Sequence, residues 1–113
     1  MSAFDNDVRD TLTGWAEATP RIRRLWIFGS RTTDSYEPDS DIDIAVEIEP
    51  VGDSEETLAL WMVNSETWHA QLQQRVTFEV DLEWFDPDGS TPKVHGALRE
   101  TGVLVYDRAA HPV

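Results

Sequence analysis

A chain of 113 residues is the size of one domain and too short for two, so residues 1–113 are read as a single domain without a linker. Nine Lys and Arg against 22 Asp and Glu give a formal net charge of −13, which repels phosphate backbones and argues against free DNA or RNA as a ligand. The absence of cysteine excludes disulfides and thiolate metal sites, and no apolar run is long enough to cross a bilayer. With no leader-like basic and apolar stretch at its start, the chain is expected to be cytoplasmic, away from membranes.

Asp5 or Asn6 can cap a first helix, in which Val8, Leu12 and Trp15 recur at helical spacing and which runs to about Ala18, before Pro20. Leu25-Trp26-Ile27-Phe28 is apolar at every position, the pattern of a central strand covered on both faces, and Gly29-Ser30 ends it. A short helix is read after Ser30. Tyr36 to Ser40 make a turn, because Pro38 pushes Glu37 out of the helical region. The next segment alternates, with Ile42, Ile44, Val46 and Ile48 on one buried face and Asp41, Asp43, Ala45, Glu47 and Glu49 on the other. Pro50 to Asp53 turn the chain, and Ser54-Glu55-Glu56 opens a helix striped by Leu58, Trp61, Ser65, Trp68 and Leu72, either continuous or broken near Asn64. A third strand sets Phe78, Val80, Leu82 and Trp84 against Glu79, Asp81 and Glu83. After the turn Asp86-Pro87-Asp88-Gly89, Thr91-Pro92 opens a last helix through Arg99, Gly102 ends it, and Val103 to Tyr106 form a final short strand. This order indicates an α/β (α+β) fold, a small mixed sheet with helices packed mainly on one face and acids on the other.

If the strands bearing Asp41, Asp43 and Asp81 are neighbours, their carboxylates crowd one sheet face, and like charges at that separation are costly without a cation between them. Magnesium suits such a set, since it combines a few carboxylates with water and substrate phosphates. Solvent-facing acids on an amphipathic sheet are the plainer account of two alternating strands alone. The turn at Gly29-Ser30 adds to the metal reading. Glycine lets a phosphate approach the backbone, and a serine hydroxyl at the start of a helix suits an anion.

Gly29-Ser30, ten residues, then Asp41-Ile42-Asp43 resembles the G-S-x10-D-x-D signature of the minimal nucleotidyltransferases within the DNA polymerase β-like superfamily. Pro38-Asp39-Ser40-Asp41-Ile42-Asp43 is similar to that family's approach to its paired aspartates. Val80-Asp81-Leu82 resembles the strand of the third, and the likeness reaches the closing helix and strand. The resemblance implies the polymerase β-like fold, with Asp41, Asp43 and Asp81 as metal ligands and catalytic residues for two Mg2+ ions. It also implies ATP as nucleotide donor, Gly29, Ser30, Arg31 and Ser40 at the nucleoside triphosphate, and Asp81 assisting deprotonation of an attacking hydroxyl. Where family members often carry small-Arg-Gly after Gly-Ser, this chain has Thr32-Thr33-Asp34, a departure that bears on triphosphate binding and leaves Arg31 either as the substitute positive charge or as a solvated helix residue.

His69, His95 and His111 lack metal-ligand spacing and read as surface or satisfied core residues. Trp61 and Trp68 read as core, with a docking face as the alternative, and Arg21, Arg23 and Arg24 as a solvated loop. At this length the chain is expected to carry no separate acceptor-binding domain. The closest functional analogy is therefore to antitoxins of HEPN/MNT pairs, which adenylylate a HEPN-type partner protein. A masking protein without catalysis and a small-molecule, aminoglycoside-type transferase are the rival readings, and the assembly is left open between homo-oligomer and hetero-complex.

Overall fold

In the computed structural model, residues 6–29, 41–50, 52–76, 79–87 and 91–108 are described. The elements in chain order are α1 (Asn6–Ala18), β1 (Ile22–Phe28), β2 (Ile42–Ile48), α2 (Ser54–Arg75), β3 (Val80–Trp84), α3 (Pro92–Thr101) and β4 (Val103–Asp107). They build a four-stranded sheet in the order β3-β2-β1-β4. β1 runs antiparallel to both β2 and β4, whereas β2 and β3 are parallel and are joined by the crossover helix α2. The sheet is therefore mixed, and the α/β expectation holds.

The alternation along β2 directs Ile42, Ile44, Val46 and Ile48 into the main core, where they meet Leu12, Trp15 and Ala16 of α1 and Trp68 and Leu72 of α2. Trp15 and Trp68 pack edge to face at 6.4 Å, and the Trp15 indole N–H donates to Gln71 Oε1 at 2.9 Å, so the ring is buried with its polar atom satisfied. The opposite face of the sheet is not left to solvent. Val94, Ala97 and Leu98 of α3 cover Trp26, Phe28 and Ala45 there, so two helices lie on one face and the third on the other.

Asp53 accepts a hydrogen bond from Glu56 N–H at 2.9 Å and caps α2, with Glu55 and Glu56 in the first turn and Arg75 in the last, a charge order that suits the helix dipole. α2 is one continuous helix. Leu58, read as part of its core stripe, is instead 40% exposed, while Thr57 beside it is the residue that is buried. At the far end of α1, Arg108 donates to the carbonyls of Ala16, Thr19 and Ile22, adding to the backbone bonds that Ala16 and Thr19 already accept and bracing the turn between α1 and β1. Among the described residues, no helix is long and apolar enough to cross a membrane.

Candidate active site

β2 and β3 bring the predicted carboxylates together through their register. Asp43 lies directly beside Asp81 across the parallel pair, one residue into each strand, and Ala45 lies beside Glu83 two positions on. Asp41 precedes β2 and is exposed. Burial, repulsion by Asp81, hydrogen bonding to Asp81 and then the charges of Asp41 and Glu83 push the Asp43 carboxyl up to about 6. Glu83 is pushed up as well, by burial first and then by Asp81. The neighbours acting on Asp43 are thus all carboxylates, the electrostatic condition that a divalent cation relieves.

The donor set fits magnesium. Among the described residues, no three His, Cys, Asp or Glu side chains are already gathered as a metal cluster. Magnesium needs fewer, because one or two carboxylates, with substrate phosphates and water, complete its shell. Asp43 and Asp81 supply that pair, and Asp41, just before β2, lies near enough for its charge to act on Asp43.

The end of β1 is shaped around Asp43. Phe28 pairs with Asp43 in register, and Gly29 then leaves the strand at φ 80°, in the left-handed region where glycine carries no steric cost. A Cβ built on Gly29 would collide with Asp43 Oδ2, so glycine is required there for conformation and for space. Its N–H donates to Thr101 Oγ1 at 2.8 Å, and that hydroxyl donates to Ala97 O at 3.1 Å, which ties the turn to the last residue of α3. Gly29 therefore brings room for the carboxylate and for a turn, while its own N–H is committed to Thr101. Thr101 went unnoticed in the sequence, where nothing marks a threonine before a helix-ending glycine as a partner of a residue 72 positions away. Ser30, Arg31 and Ser40 lie outside the described residues, as do the short helix and turn read between them.

The remaining polar groups serve the fold. Arg23 and Arg24 are on β1, not in a loop, and they converge on Glu47, which is 1% exposed; Arg24 Nη1 lies 3.0 Å from Glu47 Oε1 and its Nε 3.2 Å from Asp107 Oδ2. A cleft of about 230 Å3 opens at the other end of the strands, lined by Arg23, Glu47, Asp53, Trp84 and Asp86 among others. Glu47 is held there by two arginines and Asp53 by the α2 cap, which makes this cleft a seam between elements. His69 and His95 hydrogen-bond the carbonyls of Val80 and Asp86, His95 also stacks on Phe85, and both are the satisfied residues that the sequence suggested. His111 lies outside the described residues.

A family model described as polymerase beta nucleotidyltransferase matches residues 10–111. The chain belongs to that family. The nucleotidyltransferase match takes in both β2 and β3, so the Asp43 and Asp81 pair lies inside it. No curated protein matches the chain significantly. Among solved structures, a toxin-antitoxin complex with AMP-PNP is similar at a TM-score of 0.64 and 19% identity, covering 88% of this chain and 73% of that one. The MntA-HepT toxin-antitoxin structure matches at a TM-score of 0.60 and 17% identity, over 91% of this chain and 73% of that one. A tri-AMPylated Shewanella oneidensis HEPN toxin in complex with its MNT antitoxin matches at 0.57 and 19%, over 88% and 70%. At these identities the likeness is one of fold.

Proposed function

We propose that this chain is a magnesium-dependent nucleotidyltransferase that moves AMP from ATP onto a hydroxyl of a HEPN-type partner protein and so acts as its antitoxin. The observation that carries the reading is the in-register pair of Asp43 and Asp81 beside the Gly29 turn, a carboxylate site that a divalent ion and a phosphate chain would complete. Adenylyl transfer and a HEPN acceptor draw their support from the likeness to folds solved with AMP-PNP and with an AMPylated HEPN toxin.

In the proposed reaction the acceptor hydroxyl oxygen forms a bond to the α-phosphorus of ATP. The bond from that phosphorus to the bridging oxygen of the β-phosphate breaks, and pyrophosphate leaves. Asp41, Asp43 and Asp81 would hold two Mg2+ ions, which supply positive charge against the attacking and leaving oxygens. Asp81 assists removal of the hydroxyl proton. Asp43 faces the space that Gly29 leaves open, and Thr101 fixes the Gly29 turn. Ser30, Arg31 and Ser40 are assigned to the triphosphate.

The test is co-purification with the product of the adjacent gene, addition of Mg2+ and ATP, and intact mass of the partner. A gain of one or more AMP units, lost in Asp41→Ala/Asp43→Ala, is the expected result. A stable complex without any mass gain, in which the double variant protects the partner equally well, would replace catalysis by masking.

A further inference from the structure

α2 turns Trp68 and Leu72 into the core and Trp61 partly against it, yet its opposite face is not the polar surface that a solvated helix presents. Leu58, Met62 and Val63 stand out there at 40%, 68% and 77% exposure, and Leu58 and Met62 are one helical turn apart. The charged residues among them are Glu55, Glu56 and Glu66, all exposed, while the helix keeps its single arginine, Arg75, in the last turn. A helix face that is apolar and laced with carboxylates alone, on a chain of net charge −13, selects its partner by charge. A second copy would set one acidic face against another.

We propose that the outer face of α2 is a docking surface for a protein partner whose contact patch is apolar and bordered by arginine or lysine. The tryptophans of the same helix are not the anchors, since they serve the core; Met62 and Val63 are. The surface is derived from α2 alone, while equating its partner with the acceptor of the nucleotide rests on the function proposed above.

The experiment measures the affinity of the purified chain for the product of the adjacent gene, comparing wild type, Met62→Lys/Val63→Lys and Asp43→Asn, with AMP transfer and the mass of the free chain in solution read separately. Both lysines replace exposed side chains, and an unchanged circular dichroism spectrum confirms the fold. The expected result is binding weakened on the order of tenfold or more by the lysine pair, weakened by added salt, and kept by Asp43→Asn. Binding through α2 without any AMP transfer supports the surface and removes the catalytic reading. Binding untouched by the lysine pair overturns the surface and leaves that reading standing. A chain that binds no neighbour, whether it is monomeric or forms a dimer that the lysine pair dissociates, overturns the proposal of a basic partner.

Discussion

Any side chain placed on Gly29 would meet the Asp43 carboxylate, so a change at the turn also displaces the carboxylate. Gly29→Ala forces a side chain onto a positive φ, at about 1–2 kcal/mol, and drives it into Asp43 as well. Urea denaturation is expected to show at least that loss, and an unchanged midpoint would mean the turn has another shape. Asp43 also sets a pH dependence. Its carboxyl titrates near 6 when folded, above its ordinary range, so between about pH 4 and pH 6 the folded chain keeps a proton that the unfolded chain has released. The stabilisation is complete below that window and is lost as pH rises through 6, by about 1 kcal/mol after allowance for partial exposure. In EDTA, thermal unfolding is therefore expected at lower temperature at pH 7 than at pH 5, and Asp43→Asn removes most of the difference. Magnesium at pH 7 restores the loss in wild type only.

At the scale of elements, two contacts hold the frame that presents the site. Arg24 and Arg23 together neutralise the buried Glu47, Arg24 at the shorter distance. Arg24→Ala, which leaves Arg23 as the remaining partner, is expected to cost about 1–2 kcal/mol, and Glu47→Gln in the same chain to recover part of it, a coupling that a double-mutant cycle of denaturation midpoints reads directly. The cap of the crossover helix is worth less. Asp53→Ala should lower stability by about 1 kcal/mol and leave the pairing of β2 with β3 in place, since the core contacts of Trp68 and Leu72 lie further along the helix. A loss several times larger in calorimetry would mean that the cap organises more than one helix end.

Across the whole molecule, what sequence could reveal follows from the range of the interactions. Periodicity is local, and it placed all seven described elements and both strands of the acidic pair. Their register, which sets Asp43 beside Asp81, comes from the crossover through α2 and could only be assumed. Arg23 and Arg24 were misplaced in a loop because β1 begins at Ile22, three residues before its apolar run. The alternation of β2 put Glu47 and Ala45 on the face opposite Ile44 and Val46, but the reading of a single buried face was wrong, since α3 and the arginines bury the second one. Thr101 and Arg108 act over long sequence separations and leave no local trace. Binding of Mn2+ in place of Mg2+, titrated with ATP and followed by electron paramagnetic resonance, tests the central claim most directly, because it asks whether the Asp43 and Asp81 pair makes a metal and triphosphate site. The account predicts ATP-dependent Mn2+ binding by the wild-type chain that Asp43→Asn and Asp81→Asn each weaken on the order of tenfold or more. Equal binding by all three chains would contradict it.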